Sequence, residues 1–358
     1  MLYHSPLLAA SAVAAPTAAS ADTRYEAAVR QIWRHTGAPP TQKTALQREL
    51  VRYATLAASS HNTQCWKFRL EGDRISILPD LERRTPVVDP DDHHLYASLG
   101  CATENLLQAA LAHGLQGLVE VQTDGSIQID LEPTQAIATP LFNAIPQRQS
   151  TRADYDGQTL STGELAQLEQ AAAGNGVNLL LLTEKPAMEQ VLAYVIEGSN
   201  AQTSDPDFVQ ELKSWIRFSE REAVRRGDGL FARCSGNPTI PRWLGNLLFD
   251  QLLTPKAEAQ KCTHHIRSSA GIAIFVADHD RPADWINAGR AYQRFALQAT
   301  AMGVRTAFLN QPVEVATLRP QFAQYLGVSD RRPDLVVRFG RGPEMPRSLR
   351  RPVAAVLV

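Results

Sequence analysis

The feature that most constrains this chain is a stretch that occurs twice. Gly100–Leu115 reads GCATENLLQAALAHGL and Gly289–Val304 reads GRAYQRFALQATAMGV. Gly100 aligns with Gly289, Ala102 with Ala291, Ala110 with Ala299, Ala112 with Ala301 and Gly114 with Gly303. Each copy predicts a buried Ala-rich helix, then a glycine, then a strand. The offset of 189 is about half of the 358 residues. Self-similarity on that scale predicts two copies of one α+β unit, folded against each other as a fused pseudo-dimer.

Composition admits such a fold. Hydrophobic residues make up 44% of the chain and charged residues 20%, so a sizeable core can form and global disorder is excluded. The formal charge of −1 gives no basic excess for nucleic acid or an anionic membrane. Six Lys stand against thirty Arg, a skew that suits phosphate recognition and equally follows from a GC-rich genome. Cys65, Cys101, Cys234 and Cys262 fit neither a disulfide framework nor zinc-ligand spacing. The adjacent pairs His93-His94 and His264-His265 cannot share one helical ligand face, and both are expected at the surface.

Residues 1–24 form a segment set apart from the fold. Leu7 to Ala15 is a short apolar run and Ala19-Ser20-Ala21 resembles a cleavage site, but no basic region precedes them. The segment reads as a truncated export signal, which would make the protein periplasmic, or as an Ala-rich tail on a cytoplasmic one. No later stretch is apolar for long enough to predict a membrane span.

Further along, helical spacing covers 44–58, and hairpins are expected at 67–78 and 119–131 around Gly72 and Asp124-Gly125. Residues 133–146 read as a linker. A capping box at Ser161 and Glu164 opens a helix, a strand follows at 178–183, and Asp205-Pro206 starts a long helix expected to reach Arg226. Strands are predicted at 271–277, 305–309 and 334–339, with a helix over 284–302.

Four motifs carry candidate chemistry. Arg148, Ser150 and Arg152 alternate in an extended stretch, so two guanidinium groups and a hydroxyl share one face and suit an anion. Ser59, Ser60, Asn62 and Gln64 crowd a loop between a helix and a strand, with amides able to read a heterocycle edge. Arg347, Arg350 and Arg351 follow the last strand and can close on the same anion or form a solvated tail. Phe308, Leu309, Asn310 and Gln311 end a buried strand, a usual place for ligand contacts. No phosphate loop, nucleophile elbow or zinc motif is present, so a bound cofactor is the expected source of reactivity.

Together these motifs resemble the nitroreductase family of FMN flavoproteins, and within it the Acg-type branch. The resembling stretches are ATLAASSHNTQCWKF, RRTPVVDPDDHHLYASLGCATENL, STRADYDG, DGLFARCSGNPTIPRWLG, AFLNQPVEV and MPRSLRRPV, spread over about 25–358. The resemblance implies two fused nitroreductase-like halves, 25–139 and 140–358, acting as a monomer with one FMN. Each half lacks what the other has: R-x-S-x-R is found only in the second and S-x-x-N-x-Q only in the first. It implies that Arg148, Arg347 and Arg350 or Arg351 hold the FMN phosphate. Ser150 and Arg152 would face the pyrimidine side, Ser59, Ser60, Asn62 and Gln64 would come from the other half, and Phe308–Gln311 would lie along the ring. Cys65 stands where the family usually has Pro. The implied activity takes hydride from NAD(P)H to FMN and on to a nitro-compound or quinone. The rivals are a flavin-sequestering protein and an anion-binding module without flavin.

Residues 227–255 are both irregular and apolar. Gly227, Gly229, Gly236, Pro238, Pro241 and Gly245 argue against a long helix, while Leu230, Phe231, Trp243, Leu247 and Phe249 argue against a free linker. The segment reads as a lid over the flavin or as a loop packed on the surface of the second unit, and the lid is the expectation.

Overall fold

The computed structural model describes residues 23–37 and 40–358, so the signal-like run lies outside the described residues. Helix α1 (Arg24–Ile32) starts at a Thr23–Glu26 capping box, and α2 (Lys43–Thr55) follows. The hairpin β1 (Trp66–Glu71) and β2 (Arg74–Pro79) turns at Gly72 and leads to α3 (His93–Ala112). Strands β3 (Leu115–Val121) and β4 (Ile127–Pro133) complete a first antiparallel sheet in the order β1-β2-β4-β3. Then come α4 (Pro140–Ala144), α5 (Thr162–Ala172) and β5 (Val177–Leu182). Five helices intervene: α6 (Lys185–Thr203), α7 (Pro206–Trp215), α8 (Glu220–Arg226), α9 (Arg242–Leu252) and α10 (Pro255–Arg267). Two short strands, β6 (Ile216–Arg217) and β7 (Leu230–Phe231), pair with each other among them. Strand β8 (Gly271–Ala277) and α11 (Pro282–Ala301) follow, then β9 (Arg305–Phe308), α12 (Gln311–Glu314), α13 (Arg319–Tyr325) and β10 (Pro333–Gly340).

The second sheet runs β5-β8-β10-β9, the same order as the first when its strands are counted along the chain. In each unit the long buried helix joins the second and third strands. The expected α+β pseudo-dimer is therefore the observed architecture. Its axis lies where α3 crosses α11. A Cβ built on Gly100 would lie 1.9 Å from the Ile286 carbonyl oxygen, and one on Gly289 would lie 1.9 Å from that of Ala97. Ile286 and Gly289 are the residues 189 positions after Ala97 and Gly100, so the two contacts are the same contact seen from either side. Polar pairs repeat the relation. Arg294 donates to Glu104 at 3.2 Å and Gln293 donates to the Asn105 carbonyl at 2.7 Å, and 293 and 294 are the counterparts of 104 and 105.

Each sheet is extended by a segment that follows the other. The C-terminal tail runs parallel to β1 through Phe68 and Leu357, and Ser150, past the first sheet, bridges Thr306 on β9. The main difference between the units is what joins their first two strands: a tight turn in one, residues 183–270 in the other. That insertion covers the outer face of the second sheet, so β8 and β10 are buried throughout, β8 as a continuous apolar run and β10 with Asp334 and Arg338 among its apolar residues. In contrast, β3 alternates between half-buried and exposed positions.

Three sequence expectations are corrected. The helix predicted from Asp205 to Arg226 is broken, because Ile216 and Arg217 leave it to pair with Leu230 and Phe231, and Arg217 meets the buried Asp228 at 2.7 Å. The linker 133–146 contains α4, capped by Thr139. Gly245 does not break a helix but sits inside α9, where a Cβ would strike the Phe218 ring at 2.5 Å. No helix among the described residues is long and apolar enough to cross a membrane.

The shared helix crossing yields a direct stability test. Gly100→Ala and Gly289→Ala should each cost about 2–3 kcal/mol, because a methyl cannot fit against a backbone carbonyl without moving a helix. Gly163→Ala, on α5 with open space around it, should stabilise by up to about 1 kcal/mol. Urea denaturation of the three variants measures this, and equal stabilities would contradict the packing account.

Candidate functional site

A cavity of about 290 Å³ opens where the loop after α2, the extended stretch at 148–152, the end of β9 and the C-terminal tail converge. Eleven of the fourteen candidate residues line it: Ser59, Ser60, Asn62, Arg148, Ser150, Arg152, Phe308, Asn310, Gln311, Arg347 and Arg350. Arg148, Ser150 and Arg152 all line it.

Arg148 is 3% exposed. Its Nη2 donates to the Leu56 carbonyl at 3.1 Å, while Nε and Nη1 are buried without a partner among the described residues. Arg152 makes no hydrogen bond among the described residues, and its guanidinium is destabilised first by burial. Arg347 donates to the carbonyls of Pro146 at 2.7 Å and Gln147 at 3.2 Å and to Glu344 at 2.9 Å. Unpartnered buried N–H groups on a cation are costly, and an oxyanion accepting them would remove that cost.

Arg350 behaves differently. It donates to the carbonyls of Thr55, Leu56 and Ala57 and to Asn62 Oδ1, so it satisfies carbonyls at the buried C-terminus of α2. Burial, then the Arg148 charge, pushes it down to about 9. Arg350 lines the cavity, and its donors are engaged at that helix end. Asn62, which lines the cavity, and Gln64 are also engaged within the protein. The Asn62 amide donates to Gly229 at 2.9 Å and Leu349 at 3.2 Å, and its oxygen accepts from Arg350. Gln64, fully buried and off the cavity, donates to Gly227 at 2.8 Å and accepts from the Arg351 backbone N–H at 2.8 Å. Their amides tie the loop to the lid-like segment and the tail. Arg351 points away toward Gln64, Ala355 and Asp80, and Leu309 packs in the core beneath α6 and α10.

The loop itself is strained. His61, Asn62 and Gln64 have φ of 45°, 53° and 54°, in the left-handed region that non-glycine residues avoid. Bonds at both ends hold it: Ser59 Oγ accepts from the Gln64 N–H at 3.2 Å, and the Ser60 N–H donates to Ser98 Oγ at 3.2 Å. His61 faces the cavity, and burial, then the Arg152 charge, pushes its imidazole down to about 4. From the segment 227–255, Leu230, Cys234 and Leu253 complete the wall, whereas Trp243 and Leu247 on α9 face outward.

Several wall residues were absent from the sequence-derived set: His61, His94, Ser98, Cys101, Gln202 and Glu314. His61 and Glu314 lay inside motifs already singled out. His93 and His94 were expected at the surface and are instead 0% and 6% exposed. The reason is that acids meet them. His93 Nε2 lies 2.8 Å from Asp334 Oδ1, His94 Nδ1 lies 3.4 Å from Asp89 Oδ1, and the two Nδ1 atoms are 3.2 Å apart. Asp89 also accepts the backbone N–H groups of His94 and Leu95. Burial raises the Asp334 carboxyl to about 7. The four cysteines are buried free thiols, with Cys65 and Cys101 pushed up by burial to about 12.

With the geometry in place, likeness to known proteins defines the class. The Nitroreductase family model matches residues 145–341, more than half of the chain, and the chain belongs to that family. A protein of Mycobacterium tuberculosis provisionally named an NAD(P)H nitroreductase is 26% identical over 324 residues, covering 87% of this chain and 90% of its own. Among solved structures, a nitroreductase with bound FMN from Bacteroides fragilis is 16% identical and covers 57% of this chain and 89% of its own, with a TM-score of 0.36. The FMN-dependent nitroreductase NfnB from Mycobacterium smegmatis, in complex with NADPH, is 14% identical, covers 57% and 87%, and has a TM-score of 0.37. Those scores are too low to bear on the site, and membership rests on the family match.

The His61 environment predicts acid sensitivity. Its folded value lies below its ordinary 6.5, so the unfolded chain binds the proton first. The associated stability is present above pH 6.5 and is lost as pH falls toward about 4. His61→Asn, which tolerates the left-handed backbone, should remove roughly 1–3 kcal/mol of that loss. Denaturation curves at pH 7 and 4.5 measure it, and equal acid sensitivity of variant and wild type would contradict the assignment.

Proposed function

We propose that the chain is an FMN-dependent oxidoreductase that binds one FMN in this cavity, takes hydride from NAD(P)H and delivers it to a nitro-compound or quinone. The observation that carries the reading is Arg148, a nearly buried cation with two unpartnered donor atoms in a cavity walled by both units of a nitroreductase-family chain. The residues fit the group. Arg148 and Arg347 would hold the phosphate, and Ser150 and Arg152 the pyrimidine edge. Ser59 and Ser60 would approach from the first unit, and Phe308, Asn310 and Gln311 would line the ring. Bound FMN supplies the hydride-transfer chemistry that no side chain here can. Arg152 near the pyrimidine would favour an anionic reduced ring, and the apolar wall from Leu230 and Leu253 would keep water from it.

The same reading divides the chain into a first half over 25–139 and a second over 140–358 that arose by duplication, and makes the protein a monomer. The shared strand order and the reciprocal glycine contacts support it. A second reading, flavin sequestration, is supported by the closing segment. Leu230, Cys234 and Leu253 line the cavity, and the Asn62 and Gln64 amides tether that segment at Gly229 and Gly227.

Two experiments test these readings. Arg148→Ala should weaken FMN binding by roughly 1.5–3 kcal/mol, about ten- to a hundredfold, while Arg48→Ala on the exposed face of α2 leaves it unchanged. Equal flavin retention in both variants would overturn the placement of the phosphate. Anaerobic mixing with NADPH then separates enzyme from store. Prompt bleaching of the wild-type flavin supports turnover. Bleaching only in a Leu230→Ala/Leu253→Ala variant supports sequestration.

A further inference from the structure

Part of the cavity wall is titratable and was given no role in holding the flavin above. Glu314, on α12, lines the cavity with its side chain 17% exposed. Its Oε2 accepts from Gln202 Nε2 at 2.6 Å, and its Oε1 lies 3.9 Å from His94 Nε2. That His94 nitrogen is buried and has no hydrogen-bond partner among the described residues. Behind it the groups are continuous. His94 Nδ1 meets Asp89 and His93, His93 Nε2 meets Asp334, and Asp334 Oδ2 accepts the Ala277 N–H at 2.7 Å. A chain of proton-carrying groups therefore runs from the core of the second sheet to His94, whose free Nε2 stops 3.9 Å from a carboxyl in the cavity wall, a gap that a small shift of either side chain closes.

We propose that Glu314 is the proton donor to the electron acceptor and that His94 is the positioning residue that reloads it. The proposal rests on the flavin reading above and adds the proton that hydride transfer to a quinone or nitro-compound requires. A quinone that takes up a hydride is left with a negative oxygen. The Glu314 O–H bond breaks, its electron pair stays on the carboxylate, and the proton bonds to that oxygen to give the hydroquinone. The carboxylate then takes the proton of His94 Nε2–H, and His94 regains one from water. The sum is quinone plus NAD(P)H plus one proton giving hydroquinone plus NAD(P)+.

The electrostatics agree with the geometry. Burial raises the Glu314 carboxyl against the charge of His94, and Asp89 raises His94 against burial. The charged groups facing Glu314 are His94 and Asp89 beside the start of α3 and Arg319 on α13, while Gln202 on α6 is neutral. An acid whose proton is held closer to neutral pH is suited to giving it up during turnover.

Glu314→Gln keeps the shape and a hydrogen bond to Gln202 but has no proton to give. The variant should bind FMN and be reduced by NADPH within about twofold of wild type, whereas reoxidation by a quinone should fall at least about tenfold. Reoxidation by ferricyanide, which takes electrons without a proton, should be unchanged. His94→Asn should slow the quinone step less and shift its pH profile. Infrared spectra of the flavin-free wild type should show a protonated-carboxyl C=O band at neutral pH that Glu314→Gln lacks. Unchanged quinone reoxidation in Glu314→Gln, a parallel fall with ferricyanide, or no such band in the wild type would each overturn the proposal. A wild-type flavin that NADPH never reduces would overturn the oxidoreductase reading instead.

Discussion

The close approach of α3 and α11 is the constraint on which the rest of this structure depends. Two long helices can bring backbone against backbone only where one of the facing residues lacks a Cβ, and here that condition is met by Gly100 against Ile286 and again by Gly289 against Ala97. The crossing aligns Glu104 with Arg294 and Asn105 with Gln293, so buried polar groups are paired across it. It also fixes the distance between the two sheets, whose inner faces merge into one hydrophobic core. Everything that lines the cavity hangs from that frame: the loop after α2 packs on α3, and the stretch through Ser150 is paired to β9 beside α11.

A symmetric frame would make two equivalent sites, and the chain departs from symmetry in ways that favour one. The first unit turns from β1 to β2 at Gly72, while the second places five helices between β5 and β8. That insertion supplies Gln202, Leu230 and Cys234 to one cavity and has no counterpart in the first unit. The arginine-bearing stretch at 148–152 and the tail at 347–350 also occur once. The tail contributes by capping: Arg350 takes the carbonyls at the end of α2, which leaves Arg148 beside it with donor atoms unpartnered.

Much of this was legible in the sequence because it depends on local pattern. The repeated Ala-rich helix announced the pseudo-dimer, period-two alternation grouped Arg148, Ser150 and Arg152, which line the same cavity, and the Asp124-Gly125 turn placed a hairpin. What was not legible depends on partners distant in the chain. Nothing local shows that Arg350 faces the end of a helix nearly three hundred residues earlier, or that Asn62 and Gln64 are bonded to Gly229 and Gly227. His93 looked like a surface residue because its acid, Asp334, lies 241 residues further on, and the local Asp89 shows its role for His94 only once the turn before α3 is folded. Gly245 signalled a break and was instead a contact, since an alanine there would meet Phe218.

The central claim is that one chain folds two half-units around a single flavin site. Native mass spectrometry of the purified protein incubated with excess FMN tests it most directly, because it reads chains and cofactors together. The account predicts one dominant species, a single chain carrying one FMN. A dimer with two FMN, a single chain carrying two, or a chain that takes up none would contradict it.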